Sequence, residues 1–539
     1  MRQNSHRRLW SRVLCSLRSL GKRRLLTVGL LGTAGFLGSM TVAGTRGFPV
    51  PGVADEFSYL LAGDTFSDGR LTNPTHPLWE HFETRHVIHQ PSYQSKYPPG
   101  QGLALGVGDL LFGTPAAGLW LTAGTLGATI AWALLMWLPA HWAVLAGTLA
   151  VSQLALFEYW AQSYWGGNVA AIGGALAIGA LGAIQNPSHS IRTVHGLALG
   201  TGLGIMAISR PLEGFVTALG ILVLGLLWLK RADPQDQRTL FLRVLPACLA
   251  TTLIPLAFLG TYHHQVTGSA MTFPYQVHEE TYAAAPTFLW QPVEPPPVYR
   301  HEAIERFWLT WGTERHQHKQ TLQGFVLHLT ESVWWFAIFF LGPAVVGIAG
   351  FIRYFHRNTA GTALRQRARL PAALAFAVLA LTLSTKAAFP HYAAPVTVAF
   401  YVVVAAGLAG LHRRAKAYRS VNLAVLITVA CLAILTLRSL FSPAMDLHPF
   451  AKARTEIHES VVSSPGNHLI IVEYQVDEMV PEWVHNRADI DNARVVWAHS
   501  MDPVKDQQLV DYFQDRSVWH LKVGPELHTR LQLHRPPLE

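Results

Sequence analysis

Charge is what this chain most lacks. Of its 539 residues only 14% are Asp, Glu, Lys or Arg, while 50% are hydrophobic; a soluble globular chain carries about 25% charge. A surface so short of charge does not all face water. Segments 25–45, 116–137 and 214–229 hold no charged residue at all, as a hydrocarbon core of about 30 Å requires. A soluble globular protein is excluded, and the sequence reads as a polytopic membrane protein. Cysteine is scarce as well: Cys15 lies in a basic N-terminal stretch, and Cys248 and Cys431 fall inside apolar segments. That excludes a disulfide framework and a cysteine-based zinc site. No Gly-rich phosphate loop, long internal repeat or low-complexity tract is present.

The net charge of +9 raises nucleic acid as a partner, and its distribution argues against one. Residues 1–24 hold eight Lys or Arg, 353–369 five and 412–419 four, each run without an acid and each beside an apolar segment. Such runs are cytoplasmic anchors under the positive-inside rule. The first apolar run is long and ends without a small-residue cleavage site, so it reads as a retained span rather than a signal peptide. From these anchors, loop 46–98, segment 261–325, the short turn 386–391 and the tail from 446 all lie on the outer side. The stretch 99–185 offers four apolar segments where the flanking assignments need an odd number of crossings, so one of them is re-entrant or lies along the surface. About 11 transmembrane helices follow. The tail 446–539 reads as a small soluble α/β lobe, with strands at HLIIVEY, ARVVWAHS and SVWHLKV and a helix starting at the N-cap Asp502.

Polar residues that carry chemistry gather at the outer ends of the spans. PGVADEFSYLLAGD, residues 51–64, sets Asp55 beside Glu56. A carboxylate in a partly apolar pocket at the membrane boundary is a general-base candidate; equally, Asp55 caps a helix and Glu56 favours its positive end. QPSYQSKYPPGQG places Lys96 and Tyr97 at headgroup level before Pro98 and Pro99 start a helix. FEYWAQSYWGGN brings Glu158, Tyr164 and Asn168, ISRPLEG brings Arg210 and Glu213, and STKAAFPHYAAP brings Lys386, His391 and Tyr392. Arg210 is as readily a salt-bridge partner of Glu213. HPLWEHFETRHVIHQ, 76–90, holds four histidines without a standard zinc spacing. It is expected to be an interfacial amphipathic helix carrying Trp79, Phe82 and Val87.

The motifs DEFSYLLAGDTFSDGRLTNPTHP, KYPPGQG, SYWGGN, SRPLEG and FPHYAAP, in this order over residues 25–440, resemble the GT-C fold glycosyltransferases. The nearest group is the bacterial integral-membrane enzymes related to protein O-mannosyltransferases and aminoarabinose transferases. The resemblance implies a GT-C-like helical domain at 25–440, between the basic tail 1–24 and the extracytoplasmic lobe 446–539. It implies transfer of a sugar from a polyprenyl-phosphate-linked donor to a lipid, glycan or protein acceptor on the outer face. The family's first-loop acid falls on Asp55 or Glu56, with a role in acceptor activation or metal coordination. Lys96, Arg210 and His391 take the role of stabilising the departing phosphate, and His86, Tyr97, Tyr164, Asn168, Glu213 and Tyr392 complete the substrate site. Many relatives carry a second Asp where SYWGGN has none, so no metal ligand is assigned, although a divalent metal stays possible as a cofactor. The expected location is a bacterial plasma membrane with a cytoplasmic N-terminus. The rival readings are a secondary transporter or lipid flippase, which calls for inverted repeats and broken mid-membrane helices, and a non-catalytic sensor reading through 446–539.

Overall fold

Buried in lipid, a backbone must satisfy its own hydrogen bonds, so the charge-free segments fold as helices. The computed structural model describes residues 16–355, 363–417, 423–441, 449–475, 479–527 and 529–535. Among them, eight helices are long and apolar enough to cross a membrane: Arg24–Arg46, Ala116–Trp137, Asn168–Gln185, Pro211–Leu229, Pro234–Thr267, Leu322–Arg353, Gln366–Leu383 and Pro390–Arg413. Three shorter apolar helices, Ala140–Leu156, Thr193–Ala207 and Leu426–Leu437, stand with them. Helix Gly100–Phe112 has 13 residues, which at 1.5 Å per residue reach about 20 Å, short of the ~30 Å core. Between it and residue 185 stand Ala116–Trp137, Ala140–Leu156 and Asn168–Gln185, of which the first and third are long enough to cross. Cys15, the basic residues 1–15 and parts of the runs at 353–369 and 412–419 lie outside the described residues, as do 446–448. Cys248 and Cys431 are buried and free.

The most enclosed helices meet through small residues. A Cβ at Gly174 would stand 1.7 Å from the carbonyl oxygen of Pro395, and one at Gly407 would stand 1.8 Å from that of Gly347. These are the close backbone approaches that membrane helix packing favours.

Loop 46–98 folds over one end of this bundle. It supplies helix Ala54–Ser67 and a small antiparallel sheet of β1 (Asn73–Pro74), β2 (Val87–Ile88) and β3 (Ser92–Ser95), in the order β1-β3-β2. The C-terminal residues form helix Pro449–Val462 and a four-stranded sheet. Its strands are β4 (Asn467–Tyr474), β5 (Val495–His499), β6 (Arg516–Val523) and β7 (Thr529–Arg535), in the order β5-β4-β6-β7. β4 pairs in parallel with β5 and β6, and β7 closes the edge antiparallel to β6. Helix Pro503–Tyr512, capped by the Asp502 carboxylate, makes the crossover from β5 to β6.

This sheet shares its core with the first loop: Leu61, Phe82, Val87 and Tyr93 pack with Leu469, Ile471, Val496 and Phe513. The expectation of an interfacial helix over 76–90 is overturned here. Only Trp79–Phe82 is helical, Val87 belongs to β2, and Phe82 and Val87 are 1% and 2% exposed. The apolar face that suggested a lipid surface is covered by chain arriving 400 residues later; His81 Nδ1, for instance, lies 2.9 Å from the His499 carbonyl oxygen.

Candidate active site

Helix Ala54–Ser67 starts with its two acids turned to different tasks. Glu56 is buried and faces back along the chain. Its Oε2 accepts from the N–H groups of Gly52 at 2.7 Å and Val53 at 3.3 Å, while Oε1 accepts from the Ser163 hydroxyl at 2.6 Å and Tyr164 N–H at 3.0 Å. Burial pushes its carboxyl up, and these donors oppose the push. Glu56 therefore fastens the helix start to the 157–168 turn as a capping residue.

Asp55 faces a cavity of about 790 Å³. Its Oδ1 accepts a hydrogen bond from the Tyr97 hydroxyl, and Oδ2 lies 3.7 Å from His86 Nε2. Burial raises the Asp55 carboxyl above its ordinary range, against the lowering effect of Tyr97 and Lys96. His86 adopts φ 64°, a left-handed backbone uncommon outside glycine and a frequent sign of a functional constraint. Its carbonyl oxygen accepts from the Ser58 hydroxyl at 2.6 Å and from Lys96 N–H at 3.2 Å. Burial, then the Lys96 charge, holds its imidazole well below the usual histidine range, so it is neutral at physiological pH.

Opposite the acid stand cations. Lys96 follows β3 directly and is 4% exposed. Its ammonium sits over Tyr97, Tyr275 and Trp308 at 5.5, 4.8 and 5.3 Å and 3.3 Å from Glu279 Oε1. Lys386 Nζ lies 2.5 Å from Glu279 Oε2. Although burial pushes Glu279 up, the two lysines hold its carboxyl well below the usual range. Arg210 differs from both. Its guanidinium lies 4.5 Å over the Tyr392 ring, and among the described residues no side-chain hydrogen bond or ion pair engages it, so the expected salt bridge to Glu213 does not form.

Of the residues nominated from sequence, the cavity wall brings together Asp55, His86, Lys96, Tyr97, Arg210, Glu213 and Tyr392. Four others stand behind it. Glu56 and Tyr164 hold the turn together, and Asn168 Nδ2 donates to the Trp160 carbonyl oxygen at 3.1 Å. His391 Nδ1 shares a 2.8 Å hydrogen bond with the Tyr159 hydroxyl. Sequence reasoning missed Glu279, Arg85 and the C-terminal residues Phe450, Val480 and Glu482, all on the wall. Arg85 Nη2 donates to the carbonyl oxygens of Ala303 at 3.0 Å and Val480 at 2.8 Å, tying three segments together. No motif marks these positions; the only signal for Glu279 is an acid on a short helix in an outer segment. Among the described residues no three His, Cys, Asp or Glu side chains are grouped to hold a metal ion, and Asp55 is already engaged by Tyr97. Among the described residues, this donor set does not make a metal site.

No protein-family model matches the sequence, and no curated protein matches it either. Solved structures do resemble it. ArnT from Cupriavidus metallidurans in the apo state, an aminoarabinose transferase of the GT-C fold, superposes with TM-score 0.52 at 13% identity, over 90% of this chain and 92% of that one. ArnT from Cupriavidus metallidurans bound to undecaprenyl phosphate gives 0.49 at 13% identity, over 93% and 92%. The Archaeoglobus fulgidus oligosaccharyltransferase in complex with Zn and sulfate gives 0.46 at 14% identity, over 84% and 60%. At such identities the likeness is one of fold, and it fixes the architecture: this chain is a polytopic α-helical membrane protein of the GT-C fold.

Proposed function

We propose that the protein is a membrane glycosyltransferase that moves a sugar from a polyprenyl-phosphate carrier to an acceptor hydroxyl, with Asp55 as the base. One observation carries the reading: a half-buried carboxylate with a raised pKa shares a single cavity with an arginine that no carboxylate neutralises by direct contact among the described residues, at the point where helix Pro211–Leu229 begins. A lipid phosphate held at headgroup level meets cations there, and an acceptor reaches the acid from the outer side.

The chemistry follows from that arrangement. A sugar on phosphate is already activated, so no nucleotide is required. The acceptor hydroxyl attacks the anomeric carbon while its proton passes to an Asp55 carboxylate oxygen. The bond from the anomeric carbon to the phosphate oxygen breaks, and the departing phosphate takes up the negative charge opposite Arg210 and Lys96. A single displacement inverts the anomeric centre. Tyr97 orients Asp55, and neutral His86 leaves the carboxylate without a charged competitor for its second oxygen. Glu56 acts through position alone. The reading places the site on the outer face of a bacterial inner membrane, with the N-terminus in the cytoplasm.

The test uses purified protein in lipid nanodiscs with a panel of radiolabelled undecaprenyl-phosphate sugars. Wild type is expected to bind and consume one donor. Asp55→Asn is expected to bind it and turn over about 10²–10⁴-fold more slowly, the usual worth of a general base. Failure of folded wild type to bind any donor in the panel would sink the reading.

A further inference from the structure

Both ends of the helical bundle hold a cavity. The transfer cavity lies where span Arg24–Arg46 leads on to Gly52 and Asp55, and where Trp165 precedes span Asn168–Gln185. A smaller cavity of about 350 Å³ lies at the opposite ends of the same two spans, where Lys22 and Arg24 face the turn that begins at Asn186. The 23 residues of the first span set the two apart by about 34 Å, roughly the thickness of a hydrocarbon core. Nothing in the proposed transfer uses the smaller cavity.

Its wall is cationic and comes from separate segments. Lys22, Arg24 and Arg367 line it with His189, and no acid does. A Cβ at Gly21 would stand 2.6 Å from the Ala140 Cβ, so glycine there lets the backbone carry Lys22 against the Pro139–Ala140 turn. Arg24 Nη2 donates to His189 Nε2 at 2.8 Å, and the Ser188 N–H donates to Asn186 Oδ1 at 3.1 Å, which fixes the turn after Gln185. Burial, then the charges of Arg24 and Arg367, hold the His189 imidazole below its usual range, so it is neutral and adds no charge of its own. Lys22 and Arg367 make no ion pair among the described residues. The segments that supply the wall, 1–24, 135–140, 184–198 and 353–371, contain no Asp or Glu at all.

Three cations around one cavity with no acid call for an anion, and guanidinium and ammonium groups match phosphate oxygens. The wall also carries Leu135, Leu138 and Pro139. Leu25 and Leu26, which follow Arg24 directly on a helix able to cross the membrane, are 89% and 44% exposed. A soluble phosphate ester gains nothing from that apolar surface, whereas an acyl chain attached to the phosphate does. Basic pockets between span ends are settings in which anionic headgroups are held. We propose that this cavity binds the phosphate headgroup of an anionic phospholipid, in the leaflet that faces away from the transfer cavity.

The experiment is native mass spectrometry of the full chain released from detergent, titrated separately with phosphatidylglycerol, phosphatidylcholine and glycerol 3-phosphate. One retained phosphatidylglycerol per chain is expected, bound at least about tenfold more tightly than phosphatidylcholine. Glycerol 3-phosphate is expected to leave no retained adduct up to about 1 mM. Lys22→Gln/Arg367→Gln is expected to weaken phosphatidylglycerol about 30-fold, the combined worth of two basic residues at a membrane surface. Lys230→Gln/Arg231→Gln removes the same charge at the far end of span Pro211–Leu229, outside the cavity, and is expected to change binding by less than about threefold. No retained phosphatidylglycerol, equal retention of phosphatidylcholine, glycerol 3-phosphate bound as tightly as the lipid, or the same loss in both double variants would overturn the proposal. The three ligand titrations need wild type alone, so they test it even where a variant fails to fold. A lipid-binding readout also stands or falls apart from donor turnover.

Discussion

Replacing either of two adjacent acids tests how the site is built. In Glu56→Ala the N–H groups of Gly52 and Tyr164, both buried, lose their acceptor. An orphaned buried donor costs about 1–3 kcal/mol, so the pair costs about 2–6 kcal/mol. Burial already opposes ionisation of Glu56, which moves the expected loss into the lower half, about 2–4 kcal/mol. Asp55→Asn is a different change. The Asp55 carboxyl is raised in the folded state, so its contribution to stability is present at low pH and is lost as pH rises through the folded value. Asparagine removes that loss and still accepts from Tyr97. Thermal melts of both variants in nanodiscs at pH 7, alongside donor consumption, separate the roles. Glu56→Ala is expected to melt several degrees below wild type, and Asp55→Asn at or above it with turnover about 10²–10⁴-fold slower. An Asp55→Asn midpoint as low as that of Glu56→Ala, or a Glu56→Ala midpoint within about 1 °C of wild type, would refute the assignment.

Four further outcomes follow from the same geometry. Tyr97→Phe removes a donor that favours ionised Asp55, so the acid limb of the kcat/KM–pH profile moves to higher pH; an unmoved limb would speak against Asp55 as base. Arg210→Ala is expected to lower donor turnover about 10²–10³-fold at a stability cost of no more than about 2 kcal/mol, the worth of its contact with the Tyr392 ring. Glu279→Gln strands Lys96 and Lys386, 4% and 10% exposed, at a cost of about 3–5 kcal/mol by denaturation. Because Glu279 is depressed in the folded state, its contribution is present above the usual glutamate value and lost as pH falls below it, and the variant lacks that acid-side loss. Deleting residues 449–539 uncovers Phe82, Val87 and Tyr93, and loop 46–98 should then be cut by protease within minutes while the full chain resists.

The residues themselves determined a good deal. Charge-free runs of about twenty residues can only be helices in lipid, because the segment satisfies its own backbone there and nowhere else. Short apolar, β-branched runs gave β4, β5 and β6, and Asp502 marked its helix, because strand propensity and capping are local. The acid pair, Lys96 and Arg210 stood out for a similarly local reason, as polar groups next to spans are costly without a use. The tertiary structure alone decided which carboxylate of the pair meets the cavity, since neighbours on a helix point about 100° apart and only the packing of the 157–168 turn claims Glu56. It alone joined Glu279 to Lys96 and Lys386, 183 and 107 residues away, and it alone laid the C-terminal sheet over a loop whose amphipathic pattern suggested lipid. Those contacts depend on chain closure over hundreds of residues, and no local period in a sequence encodes which distant surface arrives to cover a given face.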